Sequence, residues 1–420
     1  MNTISKMFAG FTLLSGGALS IAGCASDAET NAPENPDPLS SAEGPSSGDP
    51  TARTDGPSFE VNAEQAPASL VQGVAVPGER CDDAKLGTNC QAYLPDIVKD
   101  PHGGPDDLLM VYRWSSAHMK KPSQLRMVRS RDGGATWQRA TPFIVANYEN
   151  LDYRDPCLTA TRSGRLVLSY FVSDGTTGSL IQTQVKYRDA DDAPFSSPVQ
   201  VFSSTLPRPV ASAKTIELSN GQMLIPLYGT PSGGGNQQSA IVASVDGGKT
   251  WDGRLPGRQK TIAASDQAYY QEPAIAEIEP GHVRAVIRVA SGTGQTSAGA
   301  EQYDSYDGQY MATWKKEVSL GVAMHGPELF RIPGTNLIPY LWSQPNAATG
   351  PTNRPTLVSV RHTDVLWPST PKHVLYNPGT TWDSGYPSTA ALDGQHLVTA
   401  LYDASRRALV VLRYNVSDVD

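Results

Sequence analysis

Ser130-Arg-Asp-Gly-Gly-Ala-Thr-Trp137 and Ser244-Val-Asp-Gly-Gly-Lys-Thr-Trp251 are one octapeptide written twice, with two positions changed. Asp and Gly-Gly suit a tight turn in which the carboxylate accepts backbone N–H groups, and the tryptophan packs beneath it. These octapeptides are therefore turn structure, and Asp132 and Asp246 are set aside from any site. The two aspartates lie 114 residues apart, which is twice 57. A step of 57 from Asp132 reaches Asp189, in the turn-like Tyr187-Arg-Asp-Ala-Asp-Asp-Ala. Beyond Asp246 come Asp307, followed by Trp314, and Asp364, followed by Trp367. A period of this size filled with short strands marks a propeller or a solenoid.

A second feature runs in phase with the first. A proline followed by apolar strand residues recurs at Pro95, Pro156, Pro273, Pro327 and Pro387, and Val210 to Leu218 fills the gap after Pro156. Each segment leads to a Gly-containing turn and an apolar second strand, as in Gly164-Arg-Leu-Val-Leu-Ser-Tyr170 and Gly394-Gln-His-Leu-Val-Thr-Ala-Leu-Tyr402. Apolar alternation bounded by glycine is a hairpin signal. Six hairpin starts predict an all-β chain folded as a six-bladed β-propeller. The 38 glycines and 33 prolines agree, being hostile to long helices.

The first strand of each blade lines the central channel, so the residues opening those strands converge on one mouth. The openings are Leu94 to Asp96, Tyr153 to Asp155, Ser212 to Lys214, Gln271-Glu272, His325 to Glu328 and Gly385-Tyr386. The second strands return Tyr112 to Trp114, Tyr170, Tyr228, Arg288, Trp342 and Tyr402 to the same face. Carboxylates, arginines and aromatics pooled at one mouth suit an exo-acting carbohydrate site, since sugars stack by their apolar faces and hydrogen-bond at their rims.

The octapeptides have the form of Asp-boxes, and with them the chain resembles the sialidase superfamily, a resemblance that spans nearly all of residues 80 to 420. Ala213 to Tyr228 looks like the family's third blade, Gln271-Glu-Pro-Ala-Ile to Val286-Ile-Arg288 like its fourth, and Gly385-Tyr-Pro-Ser-Thr like the segment of the catalytic tyrosine. The resemblance implies Tyr386 as nucleophile, Glu272 as the base that activates it, and Arg288 and Arg354 as two of three arginines holding a substrate carboxylate. A neutral phenol avoids bringing a carboxylate nucleophile up to an anionic sugar. In two places the chain departs from the family. Where sialidases read Arg-Ile-Pro it has Tyr93-Leu94-Pro95-Asp96, and the loop Ser115 to Lys121 holds no acid/base aspartate. Asp155 is the candidate acid, with Asp96 beside it, and Arg113, Arg154, Asp96 and His325 join the substrate-binding candidates.

The expected function is a retaining exo-glycoside hydrolase releasing a terminal sugar, sialic or otherwise acidic. One alternative is a carboxylate-pair glycosidase, Glu272 with Asp155, on an arabinan or a uronic acid glycoside. Another is a glycan-binding lipoprotein without catalysis. The net charge of -8 and pI near 5.4 lack the basic footprint of a nucleic-acid binder. No metal, phosphate-loop or dinucleotide motif appears, so no cofactor is expected, though loop carboxylates leave room for a structural calcium.

The N-terminus reads as an address. Lys6, an apolar stretch from Met7 to Ala22 and Gly23-Cys24 form a secretory signal, residues 1–23. Leu19-Ser-Ile-Ala-Gly-Cys24 resembles a bacterial lipobox, which implies cleavage before Cys24 and lipidation of its sulfur. Residues 24–57 then make an acidic Ser/Pro spacer, seven carboxylates against Arg53, ahead of a propeller over 58–420. The expectation is a monomeric exported lipoprotein, periplasmic or on the cell surface, touching membrane only through its anchor. In that oxidising setting Cys81 and Cys90 are read as a disulfide, with Cys157 left over on a strand.

Overall fold

A computed structural model describes residues 66–138, 143–146, 150–174, 181–191, 193–291, 296–307, 313–345, 353–364 and 372–420. The signal, the lipidation site Cys24 and the acidic spacer lie outside the described residues, as does Trp367.

Six sheets of four or five strands, antiparallel except for one short parallel pair at the edge of blade II, form blades I to VI. Their inner strands, in order, are Asn89–Lys99, Asp152–Ala160, Ile216–Glu217, Tyr269–Glu279, His325–Leu329 and Ser384–Ala391. A sheet packed on both faces must be apolar on both, and the second strands obey. Leu108–Ser115, Leu166–Ser173 and Met223–Gly229 are buried at every position. Among the described residues the core is accordingly seven apolar clusters, two between blades II and III and one between each other pair of neighbouring blades. Leu109 and Leu125 meet Leu158 and Leu168 between I and II, for example, and Leu341 and Val358 meet Leu401 and Val410 between V and VI.

The ring is closed from the N-terminal side. Val71–Pro77 adds antiparallel to Ala408–Asn415 as the outer strand of blade VI, so the last sheet is made from both ends of the domain. Glu79–Arg80 adds to the inner strand of blade I, and the Cys81–Cys90 disulfide closes that hairpin. Cys157 is free and buried.

Both octapeptides fold the same way. Asp132 Oδ1 accepts from the Thr136 N–H (2.8 Å) and Oδ2 from the Thr136 hydroxyl (2.6 Å), while Ser130 Oγ accepts from the Gly134 N–H (2.9 Å). Asp246 repeats this with Thr250 at 3.0 and 2.6 Å, and Ser244 with Gly248 at 3.0 Å. The glycine pairs take the left-handed backbone the turn needs, with φ of 64° and 82° in one turn and 69° and 83° in the other. Trp251 then pairs in parallel with the outer strand of blade II, stitching blade III to its neighbour. These turns follow third strands, which run parallel to the inner ones, so they lie at the end of the channel away from the mouth.

Candidate functional site

The mouth is built by one backbone device used five times. In blades I, II, IV, V and VI the inner strand carries a one-residue bulge: pairing jumps between Tyr93 and Asp96, Arg154 and Cys157, Gln271 and Ala274, His325 and Glu328, and Gly385 and Ser388. The residue before each proline has positive φ: Leu94 51°, Asp155 47°, Glu272 47°, Gly326 53° and Tyr386 52°. For four non-glycine residues this is a strained conformation, costing on the order of 1 to 3 kcal/mol each. A bulge re-aims one side chain out of the strand's alternation. Here it turns Asp155, Glu272 and Tyr386 toward one another across the axis. Blade III has no proline at the corresponding position, where Ser212-Ala213-Lys214 stands, and its inner strand is interrupted between the Val210–Tyr228 bridge and Ile216.

Tyr386 and Glu272, 114 residues apart, are in direct contact. The phenol donates to Glu272 Oε1 at 2.8 Å. Arg288 Nη1 donates to the same oxygen at 3.0 Å, and the Gly326 N–H donates to Oε2 at 2.8 Å. A Cβ on Gly326 would stand 2.6 Å from Tyr386 Cδ1, so only glycine lets the ring lie there. Burial, with the negative charge of Glu272 behind it, raises the Tyr386 pKa well above that of a free phenol, although Arg288 and Arg354 pull it down. Tyr386 is thus a neutral phenol aimed at a carboxylate.

Asp155 lies beside this pair, half-buried. Its carboxyl has no hydrogen bond or ion pair among the described residues; only its backbone carbonyl is engaged, weakly, by Cys157 Sγ. Burial pushes its pKa up to about 7, with Glu272 and Asp152 adding to the effect and Arg154 opposing it. A carboxyl of that kind still holds a proton near neutrality, as a general acid must.

Four sequence candidates have other work. Arg113 is fully buried, donating to Asp152 Oδ1 (2.8 Å) and to the carbonyls of Ala117 (2.8 Å) and Lys120 (2.9 Å). It braces the loop after its strand and is corrected from the substrate-binding set. Asp96 accepts from the Leu158 N–H (2.9 Å) and from Lys214 Nζ (2.8 Å), within an axial cluster that Lys214 also ties to Glu328 (2.8 Å) and Ser388 (2.5 Å). With both oxygens bound and a lysine beside it, Asp96 is a structural ion pair rather than an acid or a sugar contact. His325 is 1% exposed and accepts at Nδ1 from Arg354 (3.1 Å). Burial, and then the charges of Arg288 and Arg354, keep it neutral by lowering its pKa far below the usual value. It supports Arg354 and is likewise removed from the sugar contacts. Arg354 itself is 2% exposed and also donates to the Ser384 carbonyl (2.6 Å) and Tyr402 OH (2.9 Å), its guanidinium 5.2 Å from the Tyr386 ring centroid. Arg288 and Arg354 thus hold the catalytic candidates in place.

The return aromatics Tyr112, Trp114, Tyr170, Tyr228, Trp342 and Tyr402 are all buried, so they pack the walls. Asp155, Gly326 and Tyr386 share with Asp96, Cys157, Lys214, Glu328 and Ser388 the lining of an axial cavity of about 50 Å³, room for a few waters.

Sequence reasoning missed His118 and Asp383. His118 Nδ1 lies 2.6 Å from Asp383 Oδ1, which also accepts from Tyr402 OH at 2.8 Å. Burial would raise the Asp383 pKa, but the His118 and Tyr402 hydrogen bonds and the Arg354 charge bring it below the ordinary value. The His118 ring packs against Tyr93 and Tyr402. His118 stands in the same 115–121 loop read for an aspartate, but its partner is 265 residues away and nothing local announces the pair. Among the described residues no group of three or more His, Cys, Asp or Glu converges as a metal site.

No family model and no curated protein matches the chain. Solved structures do. A Dyadobacter fermentans protein of unknown function aligns with TM-score 0.64 at 18% identity, over 82% of this chain and 99% of that one. The α-L-arabinanase of Penicillium chrysogenum gives 0.57 at 14%, over 84% and 100%. The sialidase of Trypanosoma rangeli gives 0.53 at 16%, over 84% of this chain and 60% of that one. The chain has the sialidase-like six-bladed propeller fold that these proteins share.

Proposed function

We propose that the chain is a retaining exo-glycoside hydrolase that uses Tyr386 as nucleophile, Glu272 as its base and Asp155 as general acid/base. The observation that carries the reading is the Tyr386–Glu272 hydrogen bond of 2.8 Å, held by Arg288 and the Gly326 N–H at the mouth. Propeller neighbours named as a sialidase and an arabinanase support a glycosidase of this fold.

The phenol oxygen attacks the anomeric carbon while its proton passes to Glu272. Asp155, protonated, gives its proton to the departing glycosidic oxygen, and a tyrosyl glycoside forms. Asp155, now a carboxylate, takes a proton from water as that water attacks the anomeric carbon. The tyrosyl bond breaks, and Glu272 returns the proton to the phenolate. The high pKa of Tyr386 makes the base necessary, since a free phenolate would be scarce at neutral pH. The partnerless Asp155 carboxyl favours this division of labour over a Glu272–Asp155 pair. Both oxygens of Glu272 are already committed, and its distance from the sugar is bridged by the phenol.

The test uses the full-length chain against a panel of aryl glycosides that includes α-sialosides, α-L-arabinosides and uronides. Tyr386→Phe should reduce kcat by at least 10³-fold, in line with loss of a covalent nucleophile, and a fluorinated inactivator of the best substrate should label Tyr386. Labelling of Asp155 or Glu272 instead would replace the tyrosine mechanism with a carboxylate one. Absence of turnover across the panel would leave a glycan-binding propeller.

A further inference from the structure

The loop that carries His118 is fixed from three sides. Arg113, fully buried, gives two hydrogen bonds to its Ala117 and Lys120 carbonyls, and Ser115 Oγ also donates to Lys120 (3.1 Å). Ser116 Oγ ties it to the Cys81–Cys90 hairpin by donating to the Leu86 carbonyl. At the tip, His118 crosses from blade I to blade VI and meets Asp383, the residue before the inner strand that carries Tyr386. From Asp383 the contacts run on through Tyr402 OH and Arg354 to the Tyr386 ring. A side chain held still by this much buried structure is suited to a task at the site it borders.

The pairing also decides which ring nitrogen carries the proton. The Asp383 carboxyl, held below its ordinary pKa, is ionised and can only accept, so His118 Nδ1 is protonated and donates to it. Burial lowers the His118 pKa. Of the charges around it, Asp383 opposes that effect, while Arg154 from blade II and Arg113 from its own blade add to it. The ring is then neutral at pH 7, and Nε2 presents a lone pair. That nitrogen has no hydrogen bond among the described residues and reaches solvent, the side chain being 21% exposed. Tyr93 and Tyr402, which pack against it, are buried, so the imidazole is the one ring of the three that opens outward.

We propose that His118 is a specificity-determining contact of the site, its Nε2 accepting a hydrogen bond from a hydroxyl of the sugar bound at Tyr386. A bare lone pair accepts from a hydroxyl and repels a carboxylate, so this side of the mouth reads a hydroxyl-bearing position of the ring. Asp383 is a positioning residue that sets the tautomer. The assignment deepens the glycosidase reading and rests on it for the sugar.

Nitrogen-15 imidazole NMR of the full-length chain, with His118→Phe to identify the signal, reads the nitrogen directly. At pH 7 His118 should give the signals of a neutral ring protonated at Nδ1. The Tyr386→Phe chain, which leaves a glycoside uncleaved, is then titrated with methyl α-L-arabinofuranoside, methyl β-D-glucuronide and methyl α-N-acetylneuraminide. At least one should bind by calorimetry and move the Nε2 signal upfield, as hydrogen bonding to a ring nitrogen does. Of its monodeoxy analogues, the one lacking the contacted hydroxyl should bind about tenfold more weakly. His118→Asn, whose amide reproduces the Nδ1 contact with Asp383, should erase that difference, and His118→Gln, whose amide reaches the Nε2 position, should keep part of it. If His118 only strapped the loop to blade VI, Asn would hold binding and Gln would lose it. That reversed order, a ring charged or protonated at Nε2, an Nε2 signal that no bound glycoside moves, or binding by none of the three would each overturn the assignment. The two readings fail separately. An Nε2 shift with a glycoside that the wild-type chain never hydrolyses sinks the glycosidase and spares His118; turnover through Tyr386 with an unmoved Nε2 signal does the reverse.

Discussion

Asp155→Asn should make the folded protein more stable and the enzyme inactive, and the stability gain should depend on pH in a definite sense. In the folded chain the carboxyl is pushed up to about 7 from the ordinary 3.8. A raised carboxyl pKa means that the fold favours the protonated form. The contribution to stability is therefore fully present below 3.8 and is lost as pH climbs through the folded value near 7. At about 1.4 kcal/mol per unit the shift sets a ceiling of roughly 4 kcal/mol. Asp155 is half-buried, so solvent screening brings the expectation down to about 2 kcal/mol. Asparagine keeps the shape and cannot ionise. Denaturant unfolding at pH 4 should give the same midpoint for both proteins. Between pH 4 and 7 the variant should pull ahead, and above 7 the gap should stay constant. As pH rises through about 7, wild-type kcat/KM on a substrate with a poor leaving group should fall as Asp155 loses the proton it must donate, while the variant stays inactive throughout. A midpoint difference that is flat with pH, or a variant less stable at pH 8, would refute the argument that an unpaired, reluctantly ionised carboxyl sits at the mouth.

Two other perturbations test the frame around the site. Gly326→Ala places a Cβ 2.6 Å from the Tyr386 ring on a backbone with φ 53°, so kcat should fall ten- to a hundredfold through a displaced nucleophile, about 1.4 to 2.8 kcal/mol in the barrier, with the blades intact by circular dichroism. Lys214→Met leaves Asp96 and Glu328 facing each other without a cation in the axial cluster, a loss of about 3 to 5 kcal/mol in denaturant unfolding at pH 8. The loss should shrink at pH 5, because burial and the Glu328 charge already outweigh Lys214 and hold the Asp96 pKa up to about 6, so protonation can replace the lysine.

The five bulges also explain why so much of the site could be read before the fold was seen. A proline after each opening residue marks the place where the inner strand is re-aimed, and that mark sits in the residues themselves. Glu272, Tyr386 and Asp155 share one position relative to Pro273, Pro387 and Pro156, so the phase of the repeat nominates all three as candidates. Blade III, which lacks the proline, is where the inner strand is shortest and where Lys214 enters the axis instead.

What the sequence determined by itself is whatever repeats locally. The octapeptide turns, the strand alternation and the proline phase are each written within ten residues, and together they specify six blades and name the residues at the mouth. The tertiary structure alone decided how the charges are spent. Arg113, Arg154, Arg288 and Arg354 are chemically alike along the chain, but Arg113 finds Asp152, Arg288 finds Glu272, Arg354 finds Ser384 and Tyr402, and Arg154 finds no acceptor. The His118–Asp383 contact and the pairing of Val71–Pro77 with Ala408–Asn415 belong to the same class. Hydrogen bonds depend on atoms within about 3 Å, and closing a ring of blades brings together residues hundreds of positions apart, a distance that no local pattern encodes.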